Sequence, residues 1–515
     1  MADPRIHRIL LAAAWLLAAL HAASWLRRGW VSYDEGLIGQ SALRVLQGEL
    51  PHRDFVEVYT GGLSYWNALA MRLFGVWLLA PRILLWLTYV AWVPAMWYAA
   101  TRVARPALAL PFAALAVALS LPNYSAALPS WYNLFLATFS VAALLRHADG
   151  GGRRWLLLAG LAAGASILFK VIGLWTVAAG LLALLWHEQS LGAAGPGEGA
   201  PGARADAGSV ALRVAISGAL VAWVVAAAIA VRGYRVDPFV HWMLPIAALT
   251  GLLVRREWTL SLPGWRERLP RLARLFLPYV AGALLPLLAF AAFYAAHGSL
   301  GTMLHGVFVR PLVRLSRASV GPSPFWTPLF ALPAALLMLS PRRWWSGRGE
   351  AVAAAAAVGA VLLLGRRDPF FAASWRSLIG LAPVVLTIGA WRLLRAPEGS
   401  GTEPTARFAL LSGAACLALI QFPFAVPNYY LYAAPLVMLG CLASLGSEGS
   451  AHAPGARVAA AFYFTFALWV VTPAFIWNMG TGGRGFARDA QVVPLALPRG
   501  GIDVTARARA TYTAM

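Results

Sequence analysis

The stretch that decides the fold is WVSYDEGLIGQSALRVLQGELPHRDFVEVYTGG, from Trp30 to Gly62. It follows a first apolar segment near residues 6–26, and the rest of the chain is mostly apolar and basic. The stretch carries five carboxylates, on Asp34, Glu35, Glu49, Asp54 and Glu57. A carboxylate at the centre of a bilayer costs about 2.5–3.5 kcal/mol on insertion scales. The stretch is therefore predicted to lie at the membrane interface, in water or in a protein cavity.

The composition of the chain indicates a polytopic membrane protein. Of its 515 residues, 60% are hydrophobic, and the mean hydropathy is +0.67. Apolar runs of about 17–25 residues are long enough to span a bilayer as helices. The net charge of +22 does not indicate nucleic-acid binding, because the arginines are spread over short loops between apolar segments, as topology signals are. Cys416 and Cys441 both lie in apolar segments and show neither a disulfide framework nor a metal-binding spacing.

The apolar segments predict an all-α fold with about fifteen transmembrane helices (range 12–15) in one membrane domain, residues 1–477. Arg5 and Arg8 lie at the start of the first segment, which we interpret as an uncleaved helix with a cytoplasmic N-terminus. The segments lie near residues 6–26, 77–100, 106–121, 130–146, 155–169, 171–186, 210–231, 238–254, 275–296, 325–340, 351–365, 376–394, 408–425, 430–446 and 458–477.

This count of segments assigns the remaining stretches to the two sides of the membrane. It places residues 28–76 and a short tail, 478–515, outside, and it predicts a disordered cytoplasmic linker rich in glycine, alanine and proline at 187–209. Most arginine groups fall on the inner side, as the positive-inside rule requires. The groups around Arg310 and Arg366 fall outside, and we consider that they face a substrate or that the count slips there.

The external loop is predicted to contain two short amphipathic helices. Ile38, Ala42 and Val45 recur at helical spacing, and Pro51 ends that pattern. A second apolar face runs from Leu63 to Phe74. Helices of this kind are expected to lie flat in the headgroup region.

Two acidic clusters in this loop are candidates for chemistry. Asp34 and Glu35 offer a general base for an acceptor hydroxyl, and the alternative is that Asp34 caps the helix that follows. Asp54 and Glu57 lie beyond that helix, where surface acids are the common explanation. Carboxylate oxygens also bind divalent metals, so Asp34 and Asp54 are the candidate ligands if a metal ion is needed.

A site that binds a phosphate group also needs cations. Lys170 is the single lysine of the chain and lies between two apolar segments, on the outer side. It is either a snorkelling side chain at a helix end or a point charge for a phosphate group. Arg310 and Arg366 are candidate headgroup contacts, or solvated helix ends.

The loop resembles that of polytopic glycosyltransferases of the GT-C fold, among them the protein O-mannosyltransferase, aminoarabinose transferase and RgtA/B/C/D-like groups. Members read Y-D-E-G, then A-x-x-x-L-x-G-x-x-P-Y-x-D-F, after a first transmembrane helix. Here Tyr33-Asp34-Glu35-Gly36, then Ala42, Leu46, Gly48 and Pro51, then Asp54-Phe55 follow that order. The glycine-spaced stretch that ends at Lys170 and the stretch QFPFAVPNYYLYAAP, residues 421–435, are similar to later family segments. His52, Thr60-Gly61 and Val171 depart from the pattern.

The resemblance implies a glycosyltransferase that moves a sugar from a polyprenyl-phosphate donor to an acceptor hydroxyl by a single inverting displacement. It implies catalysis by Asp34 with Glu35. The candidate substrate-binding residues are Asp54, Tyr59, Lys170, Arg310 and Arg366. The expected location is the bacterial inner membrane, with the site facing the periplasm. The acceptor and the sugar stay open, and no nucleic acid is expected.

Two other classes of protein stay open. A lipid or sugar transporter or flippase should show inverted repeats and ionisable residues in mid-span, and the sequence shows neither. A non-catalytic subunit of an envelope-assembly complex is the third interpretation, because Thr60-Gly61 and Val171 depart from the family pattern.

Overall fold

The fold is a bundle of apolar helices. The computed structural model describes residues 4–193, 206–395, 402–446, 449–472, 492–497 and 500–513. Each of the predicted apolar segments overlaps a helix. Within the described ranges, ten helical stretches are long and apolar enough to cross a membrane by length and composition. The chain is thus a polytopic helical membrane protein, as predicted.

The first half of the chain contains the predicted external loop and its two short helices. That loop holds α2 and α3, which pack against each other, and α3 also packs on α4. Gly48, with a φ of 89°, takes the left-handed conformation that reverses the chain after α2. The helices of this half are α1 (Pro4–Ala23), α2 (Ser32–Leu46), α3 (Gly62–Phe74), α4 (Leu79–Thr101), α5 (Pro106–Ala118), α6 (Pro129–Ala148), α7 (Arg154–Phe169), α8 (Leu174–Ala193) and α9 (Ala207–Ala230).

The second half continues the bundle and ends in a small sheet. Its helices are α10 (Val236–Pro238), α11 (Leu244–Thr259), α12 (Trp265–Ala296), α13 (Leu300–Phe308), α14 (Arg310–Arg317), α15 (Leu332–Met338), α16 (Gly347–Leu364), α17 (Asp368–Arg395), α18 (Thr402–Leu417), α19 (Pro427–Leu431), α20 (Ala434–Leu445), α21 (Gly449–Phe466) and α22 (Ala506–Thr513). Two strands, β1 (Val492–Leu497) and β2 (Gly500–Thr505), form an antiparallel hairpin before α22.

The sequence predicted an all-α fold, and the hairpin adds two strands to it. These strands lie in the segment that was predicted as a short tail, residues 478–515. Asp503 donates its N–H to the carbonyl of Arg27 at 2.8 Å and accepts the N–H of Gly29 at 2.9 Å. Trp30 meets Tyr512 of α22, with ring centroids 4.5 Å apart. The end of the chain therefore docks on the connection between α1 and α2, directly before Asp34.

The predicted linker at 187–209 begins and ends within helices of the structure. α8 continues to Ala193, and α9 begins at Ala207. Asp206 caps α9 by accepting the N–H of Ser209 at 2.6 Å. Residues 194–205, the centre of the predicted linker, lie outside the described ranges.

The loops of the bundle gather at two ends. At one end, which we call the Asp34 end, Asp34 contacts Tyr124, Lys170 contacts Tyr429, and Val320 pairs with Phe424. At the opposite end, Arg268 pairs with both Glu188 and Glu257. Asp34 and Lys170 therefore lie at the same end, as the count of spans predicted.

The position of Lys170 depends on the close approach of α7 to α12. A Cβ on Gly160 would lie 1.9 Å from the carbonyl oxygen of Tyr279, and one on Gly164 would lie 2.0 Å from that of Ala283. In return, a Cβ on Gly282 would lie 2.2 Å from the carbonyl oxygen of Leu157. Small residues four apart let membrane helices pack backbone to backbone. The glycine-spaced stretch before Lys170 thus fixes the height and rotation of the helix that carries it.

Candidate active site

The connection between α1 and α2 is built around one buried ion pair. Arg82 of α4 donates to both oxygens of Glu35, at 2.6 Å from Nε and 2.7 Å from Nη2. The two side chains are 1% and 3% exposed. Arg82 also donates to the carbonyls of Leu26 and Gly29, at 2.6 and 2.7 Å. This pair fixes the first turn of α2 against the start of α4.

The neighbouring carboxylate, Asp34, is held differently. It lies in the first turn of α2 and not at the cap, which is Val31. Its Oδ2 accepts the hydroxyl hydrogen of Tyr124 at 2.5 Å, and its side chain is half-buried. Burial first, and then the charge of Asp34 among others, raises the pKa of Tyr124 well above its usual value, so Tyr124 stays protonated and donates. This leaves Oδ1 of Asp34 as the oxygen without that donor.

Lys170 lies where the chain leaves α7. The helix ends at Phe169, and the backbone of Lys170 is extended. Its ammonium donates to the hydroxyl of Ser130 at 3.4 Å and stands over the ring of Tyr429, 4.8 Å from the centroid. Asn133 ties α6 to α7 one turn earlier by donating to Ser166. The cation is thus positioned by three elements.

A set of packed tyrosines connects Asp34 to Lys170. Tyr124, which holds Asp34, meets Tyr432 edge to face, with ring centroids 6.5 Å apart. Tyr432 meets Tyr429 edge to face at 5.6 Å, and Tyr429 lies under Lys170. The acid and the cation therefore flank one aromatic cluster.

A cavity of about 190 Å³ opens beside Lys170. Tyr59 and Thr60 of the first loop form one wall, and Tyr429 forms another. Pro311 and Leu315 of α14 close the far side. The structure thus brings Tyr59 and Lys170 to one cavity, whereas Asp34 borders the tyrosine cluster and does not line this cavity.

The second acidic cluster does not face that cavity. Arg53 donates to both oxygens of Asp54, at 2.8 and 2.7 Å, and Leu50 donates its N–H at 2.7 Å. These contacts, the arginine first, lower the pKa of Asp54 to about 2. Buried Glu57 accepts the N–H groups of Val58 and Tyr59 and the hydroxyl of Ser64. Both carboxylates shape the loop.

The arrangement does not fit a metal ion shared by Asp34 and Asp54. The carbonyl of Asp54 accepts from Arg44 at 3.0 Å, so Asp54 lies at the far end of α2. Ten residues of helix separate Arg44 from Asp34, which corresponds to about 15 Å at 1.5 Å per residue. Metal–oxygen distances are about 2.0–2.6 Å. In the part of the chain that the structure describes, no three His, Cys, Asp or Glu side chains cluster for a metal.

The two candidate arginines lie in different places. Arg310 begins α14, directly before the cavity residue Pro311, and is exposed. Arg366 stands over the ring of Trp469, 4.9 Å from the centroid, and does not line the Lys170 cavity. Neither arginine is among the residues that line the cavity, although Arg310 is next to one of them in the chain.

Sequence reasoning missed Arg82, Tyr124 and Tyr432. Arg82 had a signal, because an arginine inside an apolar segment needs a partner. Tyr432 belongs to the stretch QFPFAVPNYYLYAAP, which was singled out without a role for any residue. Tyr124 had a weak signal, a short polar interruption between two apolar segments.

Comparisons with known proteins give distant likenesses only. No family model matches the chain, and no curated protein matches it. The archaeal oligosaccharyltransferase AglB from Archaeoglobus fulgidus, in complex with an inhibitory peptide and a dolichol-phosphate, aligns at 13% identity and a TM-score of 0.37. That alignment covers 84% of this chain and 50% of AglB, so the chain spans about half the length of AglB.

ArnT from Cupriavidus metallidurans aligns over 87% of this chain and 78% of ArnT. The form bound to undecaprenyl phosphate has 14% identity and a TM-score of 0.29, and the apo form has 15% and 0.31. At these TM-scores the likeness is too weak to place the chain in either protein's family. Its own helices define the chain as a polytopic helical membrane protein.

Proposed function

We propose that the chain is an integral membrane glycosyltransferase that moves a sugar from a polyprenyl-phosphate donor to an acceptor hydroxyl at the Asp34 end. The observation that carries the proposal is the tyrosine cluster that has a carboxylate, Asp34, on one side and an ammonium group, Lys170, on the other. A transfer between a lipid-borne phosphate and a hydroxyl needs both groups at one end of the membrane.

Asp34 is the general base of the proposed reaction. The Tyr124 hydroxyl fixes Oδ2, so Oδ1 is free to take the proton of the acceptor hydroxyl as that oxygen attacks the anomeric carbon. A hydroxyl has a pKa far above neutral, so a positioned base contributes about 10²–10⁴ in rate. Glu35 acts as a positioning residue, because Arg82 occupies both of its oxygens.

Lys170 stabilises the departing group. As the anomeric carbon–oxygen bond breaks, the negative charge stays on the lipid phosphate, and a fixed ammonium favours that charge. A phosphate leaving group needs little acid assistance, so one displacement with inversion suffices. Arg310, which is exposed and directly precedes the cavity residue Pro311 in the chain, is a second candidate cation.

The test is transfer from polyprenyl-phosphate sugars by purified protein in liposomes. Asp34→Asn should lower the rate about 10²–10⁴-fold, and Lys170→Met should lower it as well. Arg395→Met is the matched control, because Arg395 also stands over an aromatic ring, Trp391, at 4.0 Å, but at the opposite end. Asp34→Asn transferring at the parental rate while folded would remove Asp34 from the mechanism.

The same liposomes separate transfer from transport. A labelled lipid-linked sugar that crosses the bilayer without losing its sugar, in parental protein and in Asp34→Asn alike, would support a flippase. Release of the sugar onto an acceptor supports the transferase. Activity that appears only with a partner protein would support the third interpretation, an assembly subunit.

A further inference from the structure

A second large cavity lies at the end of the bundle opposite Asp34. We call it the arginine cavity, because Arg102, Arg105, Arg342 and Arg457 line it. Its volume is about 710 Å³, and its walls come from the turn between α4 and α5, the region after α15, and the starts of α18 and α21. Nothing in the proposed transfer uses this cavity.

The charges in the arginine cavity leave two cations for a ligand. Arg102 pairs with Asp149 at 3.3 Å, and Arg457 pairs with Glu350 at 2.8 Å. Arg105 and Arg342 are exposed and form no ion pair with a described residue. Their guanidinium groups suit the oxygens of a phosphate, which they bind through paired N–H donors.

The one carboxylate on the wall adds a second requirement. Oε1 of Glu403 is shielded from water and has no hydrogen-bond partner in the described part of the chain. A charged acceptor left without a donor is costly, and a hydroxyl or ammonium group of a ligand would relieve that cost. The cavity therefore offers cations for a phosphate and an acceptor for a donor group.

An apolar groove continues along the helices that form the arginine cavity. It has a volume of about 630 Å³ and is lined by α1, α4, α5 and the end of α21. On α5 the cavity ends at Leu108 and the groove begins at Leu110, and on α4 the groove includes Val93 and Trp97, before the cavity residue Thr101. A polar cavity followed by an apolar groove matches a headgroup followed by acyl chains.

We propose that the arginine cavity and this groove bind a membrane phospholipid whose headgroup carries both a phosphate and a hydrogen-bond donor. The phosphate lies against Arg105 and Arg342, and a headgroup hydroxyl or ammonium donates to Glu403. The acyl chains lie in the groove. Basic pockets between membrane helices are known to hold anionic headgroups in this way.

Native mass spectrometry of the full chain in detergent tests the proposal with three lipids of equal chain length. Phosphatidylglycerol and phosphatidylethanolamine have a phosphate and a donor, and phosphatidylcholine has a phosphate without a donor. We expect the first two to bind more tightly than the third. The double variant Arg105→Gln with Arg342→Gln should weaken the binding of phosphatidylglycerol about tenfold or more, since two charge-assisted contacts are lost.

Glu403→Gln should reduce the preference for donor-bearing headgroups. Arg153→Gln is the control and should leave lipid binding unchanged, because Arg153 is an exposed arginine at the same end but outside the cavity. Equal binding of all three lipids by the parental protein would overturn the proposal without any variant. Glycerol phosphate binding as tightly as the lipids would also overturn it, because the site would then take a free phosphate. None of these outcomes depends on the transfer activity.

Discussion

The buried pair of Glu35 and Arg82 gives the sharpest test of how the first loop is built. Glu35→Gln keeps the size of the side chain but removes its charge, and so leaves the guanidinium of Arg82 buried beside a neutral amide. Arg82 is 1% exposed, so water cannot replace the lost partner. Removing one partner of a buried pair costs about 3–5 kcal/mol, because the other charge stays uncompensated.

The contacts of Arg82 place the expected cost at the lower end of that range. The carbonyls of Leu26, Arg28 and Gly29 accept from it at 2.6, 3.4 and 2.7 Å, and they remain in the variant. We therefore expect Glu35→Gln to lower the free energy of unfolding by about 3 kcal/mol. Glu35→Gln combined with Arg82→Gln should cost less than the sum of the two single changes, since no unpaired charge is left.

Unfolding in mixed micelles with rising SDS, followed by tryptophan fluorescence, measures these differences. Asp34→Asn is the matched control on the adjacent residue. It should leave the unfolding free energy nearly unchanged, because an asparagine oxygen still accepts from Tyr124. A Glu35→Gln protein with parental stability and no transfer activity would refute the positioning role and return Glu35 to the chemistry.

Two further predictions concern the packing around the site. Gly164→Ala should destabilise the protein and lower transfer activity, because the added Cβ would meet the backbone of Ala283 and push α7, with Lys170, away from α12. Gly218→Ala is the control, because a Cβ there meets nothing within 4 Å. Equal stability of the two variants would refute the close-packing argument. Burial lowers the pKa of His52 below 6.5, with Glu57 opposing and Arg310 adding to the shift, so the unfolded chain takes up a proton that the folded chain resists. The contribution of His52 to the free energy of unfolding should thus be fully present above pH 6.5 and fall as the pH drops through 6.5 toward the lower folded pKa. His52→Asn should remove that part of the pH dependence of the unfolding midpoint, and asparagine tolerates the φ of 66° at this position.

Helix positions were predictable because each apolar segment must satisfy its backbone internally. The positions of the apolar helices, the helices α2 and α3, and the common end of Asp34 and Lys170 all follow from periodicity, length and alternation. The predicted number of about fifteen spans is higher than the ten described helical stretches that are long and apolar enough to cross a membrane. The hairpin at Val492–Thr505 was not predicted, since its strands are short and one contains Pro494. Its second strand also bonds to Arg27 and Gly29, far away in the chain.

The roles inside the acidic cluster could not be read from the sequence for a related reason. Glu57 and Asp54 are two carboxylates in one loop, and only their partners separate them. Asp54 meets the adjacent Arg53, whereas Glu57 turns back onto the N–H groups that follow it. Composition gives the number of acids, and three-dimensional contacts decide which acid keeps an oxygen for a substrate.

Asp34 and Glu35 show how that decision is made in one helical turn. Consecutive residues on an α-helix point about 100° apart, since 3.6 residues complete a turn. Glu35 therefore faces α4, where Arg82 takes both of its oxygens, while Asp34 faces the connection after α5, where Tyr124 takes one. A carboxylate can act as a base only with an oxygen that no cation holds. Glu35 thus fixes the helix, and the fixed helix presents Asp34. Loss of the Glu35 contact should therefore disorder Asp34.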